Sequence, residues 1–207
     1  MKFDPCPFCG KTKFDVNNPL LHPDMKLILD TLNSLIKEFG IADSLHFVGH
    51  TINQKEYNQI LELGFDAVNV VRIGEHRFNR NVIKKIPFKL IQFKLFNKPL
   101  KLNYSFISKY FIDVKIDIKE NVYPTLIPNW DHTPRSGNKG VVFHGATPER
   151  FKKNVTQILN LVKRIENQLG FLKSWNEWGE VNYMEPCLKY GKGYIIALKN
   201  AINEIYR

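Results

Sequence analysis

A helical segment that ends near a glycine and is followed by a short β-rich run occurs three times in this sequence. The predicted helices are residues 27–39, 57–63 and 151–169, the glycines are Gly40, Gly64 and Gly170, and the following runs are residues 45–50, 65–71 and 171–175. Glycine adopts the left-handed conformation that ends many helices, and a continuous apolar run is typical of a strand buried on both faces. Repeated helix-to-strand units therefore predict an α/β fold with parallel strands and right-handed crossovers.

Three more elements extend this pattern. A strand is predicted at residues 122–127, a helix begins at Pro148 behind the capping residue Thr147, and a last helix runs from about Gly193 to Ile205. A closed (β/α) barrel has eight strands and typically about 250 residues, about twice the number of strands predicted here. From the residues alone, the fold is either half of such a barrel or a small open α/β domain.

A basic insertion, residues 77–119, precedes the strand at 122–127. Its mixture of apolar residues and lysines is compatible with an amphipathic element that lies on a membrane surface. The other interpretation is an extended loop packed on the scaffold, and it is favoured because Pro87 and Pro99 prevent one long helix. No run in the sequence approaches the roughly 20 apolar residues that span a bilayer.

The formal net charge is +10, and lysine supplies most of the basic residues. This charge favours an anionic partner, such as a sugar nucleotide, a lipid-linked sugar or a membrane surface. The alternative is a lysine-rich solvated surface. Nucleic acid is not expected as a partner, because base reading favours arginine and the sequence contains no DNA-binding motif.

The three cysteines, Cys6, Cys9 and Cys187, do not form a disulfide framework. A reducing cytoplasm is therefore the expected location, with contact at the inner face of the membrane as an extension of it. The N-terminus has no apolar region of the kind that marks a signal peptide. Cys6 and Cys9 have the two-residue gap of a zinc knuckle, but no second ligand pair follows, so neither a metal nor another cofactor is expected.

Polar side chains follow each predicted strand, at the edge where parallel α/β folds carry their chemistry. They are His50 after the first strand; Arg72, Glu75 and His76 after the second; Asp131, His132 and Arg135 after residues 122–127; and Asn176, Glu177 and Glu180 after the last. Any one of them alone is most often an ordinary loop residue. Together they predict a binding site at this edge.

The segment Trp175-Asn176-Glu177-Trp178-Gly179-Glu180 is the strongest candidate. Glycosyl cleavage needs one carboxylic acid to protonate the leaving oxygen and a second carboxylate to act as base or nucleophile. Trp175 and Trp178 are expected to stack on sugar faces and to exclude water. The alternative is a solvated turn in which the tryptophans only pack.

This segment, with Glu185-Pro186 and Tyr190-Gly191, resembles the C-terminal signature of the WbsX-type glycosyltransferases. It is also similar to the Asn-Glu-Trp-x-Glu motif of glycoside hydrolase family 99. Residues 63–67, 129–135 and 147–149 resemble further family segments in the same order. The resemblance covers residues 18–207, and residues 1–17 form an atypical lead.

The resemblance implies a (β/α)8 TIM-type barrel of which this chain is the C-terminal half, with about four parallel strands and flanking helices. It implies glycosyl transfer in the biosynthesis of capsule or of O-antigen, the glycan of lipopolysaccharide, with α-mannosidic hydrolysis as the alternative. Glu177 would be the base toward the sugar's own 2-hydroxyl, Glu180 the general acid, and Asn176 would orient the sugar or Glu177. The remaining substrate-binding candidates are Trp175, Trp178, Asp131, His132, Arg135, Tyr183, Glu185, His50 and His76.

The sequence departs from the family pattern at three positions near the site. Val181 and His132 stand where the family has Gly and Asn, and Cys187 stands where Asp is common. A half barrel also leaves two open sheet edges, so we expect the chain to form a homodimer, to pair with a separate N-terminal half, or to be poorly stable alone. The competing hypotheses are an inactive, truncated glycan-binding remnant and, least favoured, a basic module for nucleic acid or membrane surfaces.

Overall fold

The computed structural model describes residues 25–74 and 80–207. Its strands are β1 (Val48–Thr51), β2 (Ala67–Val70), β3 (Leu100–Asn103), β4 (Val122–Leu126), β5 (Val141–His144), β6 (Phe171–Leu172), β7 (Asn176–Glu177) and β8 (Asn182–Tyr183). Its α-helices are α1 (Met25–Glu38), α2 (Tyr57–Glu62), α3 (Arg80–Lys85), α4 (Pro87–Leu95), α5 (Tyr104–Ile107), α6 (Thr133–Ser136), α7 (Pro148–Val162) and α8 (Gly193–Ile205). The described residues divide into two compact units, residues 25–49 with 55–68 and residues 50–54 with 69–74 and 80–207.

In the first unit, two glycines end helices as the sequence predicts. Gly40 follows α1 with φ of 64°, and its N–H donates to the Lys37 carbonyl at 3.0 Å. Gly64 follows α2 with φ of 96°, and its N–H donates to the Leu61 carbonyl at 3.0 Å. Positive φ costs glycine little because it has no Cβ, which is why these helices stop where they do.

Strands β1, β2, β4 and β6 form a four-stranded parallel sheet in that order. In the β4–β6 pair, Thr125 lies opposite Phe171 and Leu126 lies opposite Leu172. Every residue of β4 is buried, as expected for a strand covered on both faces. The predicted fold class is confirmed, since a parallel sheet flanked by helices is the arrangement of a partial TIM-type barrel.

Helices α7 and α8 pack together and bury an apolar cluster with β4. Helix α7 begins as predicted, because the Thr147 hydroxyl accepts the N–H of Arg150 at 3.3 Å and Pro148 occupies the first turn. The cluster contains Leu126, Phe151, Val155, Ile158, Met184, Tyr194 and Ala197. Full burial of one large apolar side chain contributes about 1.5–3 kcal/mol, so this cluster anchors the sheet that carries the site.

The basic insertion is not an extended loop, contrary to the favoured prediction. It contains α3, α4, β3 and α5, and β3 pairs in parallel with β5 from Leu100↔Val141 to Asn103↔His144. This second sheet was not predicted. Pro87 separates α3 from α4, so the prolines prevent one long helix as predicted. Pro87 also occupies the first position of α4, which needs no N–H donor.

Two further boundary predictions are wrong. Helix α7 ends at Val162 and not at Gly170, because the N–H groups of Glu166 and Asn167 donate to the Glu120 carboxylate at 2.9 and 3.2 Å. A side chain distant in sequence thus takes the donors that further helical turns would use. The strand expected at 171–175 is limited to Phe171–Leu172, because the chain then enters a separate hairpin.

Candidate active site

The two candidate carboxylates lie on a tight hairpin that follows β6. Strand β7 pairs antiparallel with β8, with Asn176 opposite Tyr183 and Glu177 opposite Asn182. A 3-10 turn, Trp178–Glu180, joins them, and Val181 closes the turn with φ of 51°. Because a β-branched residue rarely adopts positive φ, the turn takes a strained backbone at the position where the family has Gly.

Arg135 brings the two carboxylates together. Its Nη2 donates to Glu177 Oε1 at 2.9 Å, and its Nε lies 3.3 Å from Glu180 Oε1. Adjacent donors of one planar guanidinium hold both oxygens, so the two carboxyl groups lie side by side. The side chain of Glu180 is only 12% exposed, whereas that of Glu177 is 36% exposed. Glu177 is therefore the carboxylate more open to a ligand.

His132 lies on the other side of Glu180. Its Nε2 is 3.5 Å from Glu180 Oε1, and its Nδ1 is 2.8 Å from the Ser136 hydroxyl. The Trp130 ring stacks on the imidazole with planes 5° apart. These contacts fix the orientation of the ring beside the Glu180 carboxylate.

Asp131 shapes the turn that carries His132 and Arg135. Its Oδ1 accepts the N–H of Thr133 at 2.9 Å, and its own N–H donates to the Glu180 carbonyl at 2.8 Å. A short polar side chain that accepts from the backbone two residues on starts a turn or a helix. Asp131 therefore links the start of α6 to the hairpin.

Two residues of the hairpin region, Gly179 and Ser174, support the carboxylate cluster. A Cβ on Gly179 would lie 3.1 Å from Glu177 Oε1 and 3.6 Å from the Arg135 guanidinium. The Ser174 hydroxyl accepts the Glu177 N–H at 3.2 Å and donates to the Asn182 carbonyl at 2.8 Å. Ser174 and Gly179 thus support the carboxylates, and the sequence-based prediction named neither as a functional residue.

Trp178 is held rigidly and keeps one face open. Its ring stacks on Tyr183 with centroids 3.8 Å apart, and its Nε1–H donates to Glu185 at 2.6 Å. The residue is still 47% exposed. A groove of about 480 Å³ runs beside it, lined by Trp178, Tyr183, Pro186, Cys187, Leu188 and Lys189.

Trp175 and Asn176 also face solvent. Trp175 is 52% exposed, and its carbonyl accepts the N–H groups of Met184 and Glu185 at 2.9 and 3.2 Å. Asn176 is exposed at the start of β7. The hairpin therefore presents two indole rings and an amide beside the carboxylates.

A cavity of about 410 Å³ lies on the β5 side of the hairpin. Its lining includes Asp131, Tyr183 and three residues that were not predicted to bind substrate, Asn129, His144 and Tyr190. Burial raises the pKa of the Tyr183 phenol above its ordinary value. Polar and aromatic side chains of this kind are typical of ligand cavities.

His50 is not part of the carboxylate cluster. Its Nδ1 is 3.0 Å from Asn69 Oδ1, and the Asn69 amide donates to the Tyr123 carbonyl and the Thr125 hydroxyl, both at 2.8 Å. This row crosses the strands β1, β2 and β4. The predicted ligand role of His50 stays a prediction, and His76 lies outside the described residues.

Arg72 has a structural partner. Its guanidinium donates to both oxygens of Asp117 at 2.8 Å, and the two residues are 2% and 0% exposed. Burial raises the pKa of the Asp117 carboxyl, and the Arg72 charge opposes that rise. A bidentate pair so enclosed stabilises the end of β2 and does not face a ligand.

The part of the chain that the structure describes shows neither a cluster of metal ligands nor a membrane-spanning helix. No group of three His, Cys, Asp or Glu side chains there is arranged to hold a metal ion. Cys6 and Cys9 fall outside that part. None of its helices has the length and hydropathy needed to cross a bilayer.

The fold and the site define a class of protein. A parallel α/β sheet carries a carboxylate–arginine–histidine cluster on segments that follow the neighbouring strands β4 and β6, where (β/α) barrels carry their active sites. Comparison with known proteins agrees, since the sequence profile described as glycosyltransferase WbsX matches residues 8–198. The chain belongs to the WbsX glycosyltransferase family, and the resemblance seen in the sequence is confirmed.

Two curated relatives match a shorter stretch. They are the uncharacterized proteins WxcX of Xanthomonas campestris pv. campestris, strains B100 and ATCC 33913, each 29% identical over 86 residues. The match covers 39% of this chain and 12% of each relative, so the chain spans only a small part of their length. No solved structure matches the chain significantly. Family membership indicates a carbohydrate-active protein.

Proposed function

We propose that this chain supplies the sugar-contacting carboxylates of a glycosyltransferase that assembles bacterial surface polysaccharide, O-antigen or capsule. The observation that supports this proposal is the placement of Glu177 and Glu180 on adjacent donors of the Arg135 guanidinium, beside the exposed ring of Trp178. Membership of the WbsX family agrees with it. The sugar donor would be a nucleotide- or lipid-linked sugar, whose phosphates suit the positive charge of the chain.

In this proposal the two carboxylates have different tasks. Glu177, the more open one, accepts the proton of the attacking hydroxyl as the new bond to the anomeric carbon forms. The old bond from the anomeric carbon to the donor phosphate breaks, and the phosphate carries away the electron pair. Glu180 contacts Arg135 and His132 and, as the general acid, would donate a proton to the leaving phosphate oxygen. Trp178 and Trp175 would bind sugar faces, and Asn176 would bind a hydroxyl.

Hydrolysis of α-mannosidic bonds is the second candidate, because most glycoside hydrolases use a pair of carboxyl groups as their catalytic residues. Glu180 would then protonate the leaving oxygen, and Glu177 would take the proton of the sugar's 2-hydroxyl as that oxygen bonds to the anomeric carbon. Water would afterwards add to the anomeric carbon, break this internal bond and return the proton to the 2-oxygen. The charge contacts of Arg135 with both groups must loosen when substrate binds, since a general acid has to hold a proton.

Glu177→Gln and Glu180→Gln test the carboxylates. Each variant should lower transfer from a panel of nucleotide sugars to a lipid-linked acceptor, or hydrolysis of an aryl α-mannoside, by at least about 100-fold. Glu204→Gln is the matched control, because Glu204 forms an exposed ion pair with Lys152 on α8 and α7. If all three variants retain the same turnover, the catalytic assignment is wrong.

Binding without turnover separates a glycan-binding remnant from an enzyme. α-Mannobiose should quench tryptophan fluorescence in the unmodified chain, and Trp178→Leu should weaken that response at least about tenfold. Saturable quenching with no turnover on any donor would favour the remnant. The absence of any sugar response, with no turnover, would remove the carbohydrate proposal for this site.

A further inference from the structure

The positive charge of the chain is concentrated in one segment. Residues 76–112 contain nine Lys and Arg residues and no Asp or Glu, so their formal charge is +9. The whole chain carries +10, which leaves +1 for all the other residues together. If the lysines and arginines served solubility alone, they would be distributed over the whole chain. Their concentration in one segment indicates an anionic partner.

Helix α4 in this segment is apolar on two opposite faces. Leu90 and Phe93 pack against the buried cluster that includes Ile86, Leu100 and Tyr104. On the other side, Phe88, Ile91 and Leu95 recur at the i, i+3 and i+7 spacing of one helical face, and they are 68%, 50% and 73% exposed. Phe96, just after the helix, is 65% exposed.

Exposed lysines flank this outer face. Lys84 lies in the last turn of α3, Lys94 lies within α4, and Lys98 follows the helix. Lys85, in contrast, donates to the Tyr110 hydroxyl at 3.2 Å. Phe, Ile and Leu side chains bordered by lysines are the composition of helices that lie in the interface of a bilayer. Anionic headgroups attract each such lysine, and the apolar side chains enter the acyl boundary.

We propose that the outer face of α4, formed by Phe88, Ile91, Leu95 and Phe96 with Lys84, Lys94 and Lys98, docks on an anionic lipid bilayer. A nucleic acid fits the same face less well, because the aliphatic side chains of Ile91 and Leu95 offer nothing to bases or phosphates. A second copy of the chain fits less well too, since it would bring a second charge of +9 against the first. The face binds the membrane surface and does not span it.

Vesicle co-sedimentation tests the proposal without reference to sugar chemistry. The full chain should bind vesicles of phosphatidylglycerol and phosphatidylethanolamine at least about tenfold more tightly than vesicles of phosphatidylcholine, and high salt should reduce the difference. Phe88→Ser/Leu95→Ser should weaken binding to the anionic vesicles at least about tenfold. Lys84→Gln/Lys98→Gln should weaken it roughly 25-fold, at about fivefold for each lysine.

The control variants remove exposed groups outside the segment. Ile202→Ser changes a 42% exposed residue of α8, and Lys139→Gln/Lys199→Gln removes two exposed lysines outside the segment. Circular dichroism should show that every variant is folded, and the lysine variants carry the test if the serine variant is not. Equal binding to neutral vesicles, or equal losses in the controls, overturns the proposal. Two other results would also overturn the proposal if no vesicle binding occurs. One is retention on DNA that the Phe88/Leu95 or Lys84/Lys98 variants abolish, and the other is dimerisation, seen by light scattering, that the same variants abolish.

Discussion

Removal of the charge of Asp117 should destabilise the second unit strongly. In Asp117→Asn, the Arg72 guanidinium keeps its charge at 2% exposure and loses its counter-ion. The loss of one partner of a buried ion pair costs about 3–5 kcal/mol, against a total stability of about 5–15 kcal/mol for a typical domain. The Asp113 N–H also donates to Asp117 at 2.9 Å, which adds to the local loss. We expect the urea midpoint, followed by far-UV circular dichroism, to fall by a large fraction of its value.

Two comparison variants isolate the cause. Arg72→Met/Asp117→Leu replaces both charges by apolar groups and should recover most of the loss, because the penalty comes from an unpaired buried charge. Glu204→Gln breaks the exposed pair with Lys152 and should cost no more than about 1 kcal/mol. If Asp117→Asn and Glu204→Gln lower stability equally, or if the double variant is the least stable, the reasoning about burial is wrong.

Three smaller perturbations test other parts of the structure. Burial lowers the pKa of His144, and nearby cations including Lys101 lower it further. The NMR titration midpoint of His144 should therefore lie below 6.5 and should rise in Lys101→Gln. A midpoint above 6.5 would contradict this expectation. Thr147→Ala should cost about 1 kcal/mol of unfolding free energy by urea denaturation, because the cap of α7 is lost, and Thr147→Ser should restore it. Gly140→Ala should cost about 1–3 kcal/mol in the same assay, since its Cβ would lie 2.8 Å from the Thr133 backbone; an unchanged midpoint would mean that the backbone yields freely.

Local chemistry explains why several elements could be predicted. Gly40 and Gly64 end helices through their own freedom of φ, and Thr147 with Pro148 starts α7 through groups within one turn. The buried strand β4 lies within the strand predicted at residues 122–127, where apolar residues stand on both sides of Pro124 and Thr125. Such signals lie within a few residues of the element that they determine, so a sequence pattern contains them.

The failures share a different cause. Helix α7 stops early because Glu120 binds the N–H of Glu166, which is 46 residues away in sequence. Strand β3 exists because β5 offers it a partner across the chain, and no local pattern in a lysine-rich stretch indicates that pairing. The prolines prevent one long helix in the insertion, as expected, but Pro87 also begins α4, so the segment folds as short helices and not as a loop.

The residues of the candidate site could be predicted from the sequence, but their contacts could not. The sequence by itself determined which groups are available, since two carboxylates and two indoles within six residues follow the last strand of a parallel sheet. Only the tertiary structure decided that Arg135 meets Glu177 across 42 residues, that His132 lies beside Glu180, and that Arg72 turns to Asp117 instead of a ligand. The reason is physical, because charge contacts act over a few ångströms in space, and separation along the chain does not fix that distance until the strands have paired and the helices have packed.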